Sequence, residues 1–126
     1  MSGAFPQPEG VARPQAPYSS VVVDGDLVYT AGQVAFDEQG GLVPGGIAEQ
    51  TQRALENLAA CLRAAGAGLE DVLKVNVYLA DLADFPGLNA VYSEFFSQPY
   101  PARTTVGVSL PGDLLVEIEA VARIRM

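Results

Sequence analysis

The chain has no histidine and no tryptophan, a single cysteine, and seven basic residues against fifteen acidic ones. Without histidine it cannot assemble a Ser-His-Asp or Cys-His nucleophile or a histidine zinc site, and one thiol cannot supply a thiolate cluster. A lone cysteine also excludes an intrachain disulfide and suits a reducing compartment; Cys61 lies in a stretch of helical spacing and reads as core filler rather than nucleophile. The net charge of −8 repels phosphate backbones, which sets the sequence against nucleic-acid binding. No stretch approaches the roughly 18 uncharged apolar residues of a membrane span, and the N-terminal segment lacks a basic region followed by an apolar run. The expectation is a cytoplasmic protein with no membrane partner.

What is present is apolar. Hydrophobic residues make up 49% of the 126 positions and charged ones 17%, below the roughly one quarter usual for soluble domains. Such a surface contains an apolar region that needs covering, which favours an oligomer. The length predicts one domain over 1–126, with a proline-rich extended arm over residues 1–15.

Two β-branched runs, 19–24 and 27–35, flank Asp24-Gly25-Asp26 and predict an opening hairpin. From Ile47 to Ala65 the apolar residues Ala54, Leu55, Leu58, Cys61 and Leu62 recur at helical spacing, and Gly66 is placed to end the helix in the left-handed conformation. Val75, Val77 and Leu79 alternate with Lys74, Asn76 and Tyr78, predicting a half-buried strand over 72–79. Asp84 is a candidate N-cap for a second helix with Leu88, Val91, Tyr92, Phe95 and Phe96 on its apolar face. Residues 102–110 and 114–124 read as a final hairpin turning at Pro111-Gly112-Asp113. The order β-β-α-β-α-β-β is α+β: a mixed sheet with both helices on one face.

Alternation sorts that final hairpin into two faces. Thr104, Val106 and Val108 would pack under the helices with Val116, Ile118 and Ala120, leaving Arg103, Thr105, Glu117 and Glu119 on the far side. In hairpin register Arg103 stands opposite Val121, which puts Glu117 roughly 13 Å along the strands. That is too far for a direct bond, so a joint site is easier to build between subunits. Arginine suits carboxylate recognition because its planar guanidinium gives two parallel hydrogen bonds, and a glutamate could orient or deprotonate a water. On the pattern alone an interface ion pair is the simpler use of the same residues.

Several spaced blocks resemble one family. Ala16-Pro17-Tyr18, Tyr29-Thr30-Ala31-Gly32-Gln33, Val77-Tyr78-Leu79-Ala80-Asp81-Leu82 with Phe85 and Asn89, Tyr100-Pro101-Ala102-Arg103-Thr104-Thr105-Val106, and Leu110-Pro111 leading to Val116-Glu117-Ile118-Glu119-Ala120 stand in the order of the reactive intermediate deaminases, the RidA or YjgF family. The resemblance implies a chorismate-mutase-like fold, a homotrimer with sites in the clefts between subunits, and cofactor-free hydrolysis of 2-imino and enamine acids to 2-oxo acids and ammonia. Carried over by position, Arg103 would bind the substrate carboxylate and Glu117 would position the attacking water. Tyr18, Gly32, Asn89 and Thr105 would line the cleft. Ala31 stands where many members have serine, Thr105 where cysteine is frequent, and the Arg103 to Glu117 spacing is one residue shorter than in some members; these departures bear on substrate choice. A pathway-specific enamine deaminase and a metabolite-binding or chaperone trimer are the alternative readings.

Overall fold

The computed structural model describes residues 3–125; Met1 and Ser2 of the expected arm, and Met126, lie outside the described residues. The elements run β1 (Gly3–Ala4), β2 (Val21–Asp24), β3 (Leu27–Thr30), α1 (Ile47–Ala64), β4 (Val72–Leu79), α2 (Phe85–Phe95), β5 (Ala102–Gly107) and β6 (Val116–Arg123). Short 3-10 turns at Leu69–Asp71 and Leu82–Asp84 lead into β4 and α2. The six strands form one mixed sheet in the order β1-β2-β3-β6-β4-β5. With two helices the architecture is α+β, as expected from the element order.

Local chemistry explains the boundaries. Gly25, at φ +63°, turns β2 into β3 so that Asp24 pairs with Leu27. At the start of α1 the Gly46 N–H donates to the Glu49 carboxylate at 2.8 Å, satisfying a backbone donor the helix cannot use. Gly66, at φ +84°, ends it and lets the Ala67 N–H return to the Leu62 carbonyl at 2.9 Å. The core lies between helices and sheet: Leu55, Leu58, Leu62 and Leu88 are fully buried, as are Val75, Val77, Leu79, Val116 and Ile118 below them. Cys61 is fully buried among them, and burial pushes its thiol up to about 12, which fits core filler.

Two buried amides on α1 fix the loops around this core. Asn57 donates to the carbonyls of Val34 and Phe36 at 2.9 and 3.0 Å and accepts from Arg53 Nε at 3.1 Å. Gln50 donates to the Asp113 carbonyl at 3.0 Å and accepts the Leu115 N–H at 2.9 Å. The N-terminal arm is also tied down: Gly3 and Ala4 pair with β2, and Arg53 donates to the Gly10 carbonyl at 3.2 Å.

The last two strands differ from the expected hairpin. β4, α2 and β5 form a crossover unit, so β5 lies parallel to β4 with Val75 opposite Arg103 and Val77 opposite Thr105. β6 takes the other side of β4, antiparallel, with Asn76 opposite Glu119 and Tyr78 opposite Glu117. β5 and β6 therefore do not touch, and Arg103 does not stand opposite Val121. Residues 108–115 pass over the end of β4, held by Val108 N–H to Leu79 O at 2.9 Å and Ala80 N–H to Leu115 O at 3.0 Å. The Pro-Gly-Asp signal marks a bend in this crossing rather than a tight hairpin.

The register also reverses the expected faces of β5. Partners in a ladder share a face, and Val75 and Val77 point at the helices. Arg103 and Thr105 therefore lie under α2, while Thr104 and Val106 share the far face with Lys74, Asn76 and Tyr78. Lys74 Nζ donates to Thr104 Oγ1 there at 2.9 Å. As an edge strand, β5 can leave Val106 at 39% exposure, so its apolar residues did not mark its inward side.

Candidate functional site

On the helix side of the sheet, α2 presents Phe85, Asn89 and Tyr92 at positions i, i+4 and i+7, a stripe along one helical face. Arg103 rises from β5 against this stripe. Its guanidinium carbon is 4.7 Å from the centre of the Tyr92 ring and 5.5 Å from that of Phe85, inside the range of a cation–π contact. Neither of the two ion pairs among the described residues involves Arg103; they join Arg123 to Asp26 and Arg125 to Asp71. Beside it, two buried hydroxyls, Thr105 Oγ1 and Tyr92 Oη, have no hydrogen-bond partner. Burial pushes the Tyr92 phenol above its ordinary value, and the Arg103 charge opposes that rise. A half-buried cation with no ion-pair partner among the described residues, with the Thr105 hydroxyl two positions along the same strand, is equipped to take a small anion.

The far face carries a different set. Glu119 accepts hydrogen bonds from Asn76 Nδ2 and from the Tyr78 hydroxyl, both at 3.1 Å. Glu117, two positions away on the same face, receives none. Burial first, and then the Glu119 charge, push the Glu117 carboxyl above its ordinary value. Tyr78 is raised by burial, by its hydrogen bond to Glu119 and by both carboxylate charges. Gly32 lies directly against Glu117: a Cβ there would fall 2.6 Å from the carboxyl carbon, a separation real side chains do not adopt. Glycine lets the Glu117 carboxylate lie where it does; any side chain at position 32 would force that carboxylate to move. Gln33 holds this backbone in place through paired bonds with Ile118 at 2.7 and 2.9 Å. Tyr18, 55% exposed, and Gly32 line the same cavity of about 160 Å³ below the N-terminal arm.

The six residues singled out from the sequence thus fall into two groups. Arg103, Thr105 and Asn89 belong to the helix side; Glu117 lies on the far face against Gly32, which in turn shares with Tyr18 a cavity that Asn57 of α1 also lines. One chain holds the guanidinium and the Glu117 carboxylate on opposite faces of its own sheet. Sequence reasoning left out the aromatic pair around Arg103, Phe85 and Tyr92, and the Asn76 and Tyr78 donors to Glu119. Tyr92 was read as core, which it also is; the signal for its second role is its i+7 spacing from Phe85 across Asn89. Among the described residues no group of three or more acidic, cysteine or histidine side chains is arranged to hold a metal ion. A cavity of about 740 Å³ between the C-terminal ends of α1 and α2 shares none of these residues.

Comparison with known proteins gives concordant results. The family model described as endoribonuclease L-PSP matches residues 10–124. A RutC family protein of Pyrococcus abyssi is 50% identical over 116 residues, covering 90% of this chain and 91% of its own. A 2-iminobutanoate/2-iminopropanoate deaminase of Bos taurus is 44% identical over 108 residues, covering 84% and 79%. Among solved structures, RidA from the Antarctic bacterium Psychrobacter sp. superposes with a TM-score of 0.91 at 41% identity, over 96% of this chain and 99% of that one.

Proposed function

The chain belongs to the YjgF/RidA family, whose model bears the endoribonuclease L-PSP description, and from that premise we propose that it hydrolyses small 2-imino and enamine acids to 2-oxo acids and ammonia. The observation that carries the reading is the Arg103 guanidinium, held against two aromatic faces with its donors free beside the buried Thr105 hydroxyl. A planar fork of this kind matches a carboxylate. The reacting carbon of a 2-imino acid is adjacent to that carboxylate and already electrophilic. Once the enamine has tautomerised to the imine, water adds to C2, the C–N bond breaks, and the nitrogen leaves as ammonia. Orientation of substrate and one water supplies most of what such a reaction needs, which accords with a chain lacking histidine. Glu117, unpartnered and with raised proton affinity, is suited to take a proton from that water.

The placement of Arg103 and Glu117 on opposite faces of one sheet supports a site completed by a second copy. A homotrimer, with Arg103, Thr105 and Asn89 from one subunit facing Glu117, Gly32 and Tyr18 of the next, brings both groups to one cleft. An RNA substrate fits less well, because a net charge of −8 opposes a polyanion. Coupled to a threonine or serine dehydratase, the purified protein is expected to accelerate appearance of the 2-oxo acid beyond the spontaneous rate. Arg103→Ala is expected to remove the acceleration, and Arg103→Lys to retain only a part of it because the paired hydrogen bonds are lost. Equal acceleration by wild type and Arg103→Ala would refute the assignment.

A further inference from the structure

We infer that Tyr92 is a positioning residue, acting through its ring face and not its hydroxyl: with Phe85 it forms an aromatic clamp that orients Arg103 for a carboxylate. The inference rests on the proposed role of Arg103 as the carboxylate-binding group, and it deepens that role by naming what holds the guanidinium.

The geometry supplies the argument. The Arg103 guanidinium lies 4.7 Å from one ring centre and 5.5 Å from the other. Arginines are more often fixed by an acidic neighbour, and the described residues give Arg103 none. The difference matters chemically. A carboxylate partner would occupy two of the five N–H donors and neutralise the charge that has to attract the substrate. An aromatic face attracts the cation through its π cloud and leaves the in-plane N–H groups free. The clamp therefore restricts a flexible side chain without using the groups that bind ligand.

Tyr92 is itself well fixed. It is 6% exposed, and its ring stacks on Phe96 at 4.5 Å between centroids. Phe85, seven residues earlier on the same helical face, is 39% exposed and covers the cation from the open side. The Tyr92 hydroxyl is buried without a partner among the described residues, so removing it breaks no hydrogen bond to them.

The test uses full-length protein and 2-oxobutanoate as the probe, with Kd measured by calorimetry and the Arg103 Nε–Hε signal followed by NMR. Tyr92→Phe is expected to keep Kd within about twofold. Tyr92→Leu, and separately Phe85→Leu, are expected to raise Kd roughly three- to tenfold, the cost of ordering one more long side chain on binding. Both leucine variants should also move the Arg103 signal downfield in the free protein as the ring current is lost. In turnover the loss is expected in KM, with kcat nearly retained. If Tyr92→Leu fails to fold, the half-exposed Phe85 position decides the matter. Unchanged Kd and signal in the leucine variants would overturn the clamp, as would a loss in Tyr92→Phe equal to that in Tyr92→Leu. Arg103-dependent binding of 2-oxobutanoate without imine turnover would remove the deaminase reading and leave the clamp standing.

Discussion

Glu117 and Glu119 stand two positions apart on β6, and the donors near them are shared unequally. Asn76 and Tyr78 both donate to Glu119, whereas Glu117 is half-buried with Glu119 as its charged neighbour. Lys74 and Tyr78 on β4, Tyr29 on β3 and Arg123 on β6 are other titratable groups on this face; Lys74 is engaged by Thr104 and Arg123 by Asp26. Glu117 therefore holds its proton to higher pH than an ordinary glutamate, whose value is 4.5. If it must be ionised to activate water, kcat/KM falls on the acid side with a midpoint above that value. Glu119→Gln removes the repelling charge, so the midpoint is expected to move down, while the part due to burial stays. The sign for stability is opposite: a carboxyl with raised affinity favours the fold when protonated, and this contribution is lost as pH rises through its folded value. A pH–rate profile of the variant checks the first statement. A midpoint shifting upward would contradict it.

At the scale of elements, the buried amides of α1 do more than fill space. Asn57 ties down two loop carbonyls, of which Val34's also accepts the Phe36 N–H while Phe36's has no other partner among the described residues. Asn57→Ala is expected to cost about 1–3 kcal/mol per orphaned group at most, felt as a lower urea midpoint with an unchanged slope. The elements themselves were largely readable in the sequence. The strand expected over 72–79 has the bounds of β4, with alternation holding from Lys74 to Leu79 beyond an irregularity at its start, and the helical spacing over 47–65 matches α1 to within one position. What could not be read was adjacency. Alternation shows that Arg103 and Thr105 share a face, but which face depends on the neighbouring strand, and the crossover through α2 makes that neighbour β4. A Pro-Gly-Asp turn between two strands looks the same whether they pair or are separated by a third. Gln50, 63 residues before Asp113 in the chain, holds the crossing in place, and no local pattern announces such a contact. Candidate site residues were named from motif blocks, while the partners that orient them, Tyr92 for Arg103 and Gly32 for Glu117, became visible with the packing.

On the scale of the whole molecule, several observations converge on self-association. β5 is a sheet edge whose outer hydrogen-bonding groups have no strand beside them. Leu82 and Phe85 near the Arg103 cleft, and Tyr29 and Val106 on the far face, leave large apolar side chains exposed. The sheet separates Arg103 from Glu117, so within one chain the proposed carboxylate site and the proposed water-activating group cannot meet. Assembly and activity should then be inseparable. The most direct test mixes two inactive proteins, Arg103→Ala and Glu117→Gln, after dissociation and reassembly, with mixed oligomers verified by native mass spectrometry. In the proposed assembly each cleft would take its arginine from one subunit and its glutamate from another, so random mixing would restore about one quarter of the intact sites. Imine hydrolysis returning to roughly that fraction of wild type is the expected result. Mixed oligomers that form and remain as inactive as either parent would contradict the account.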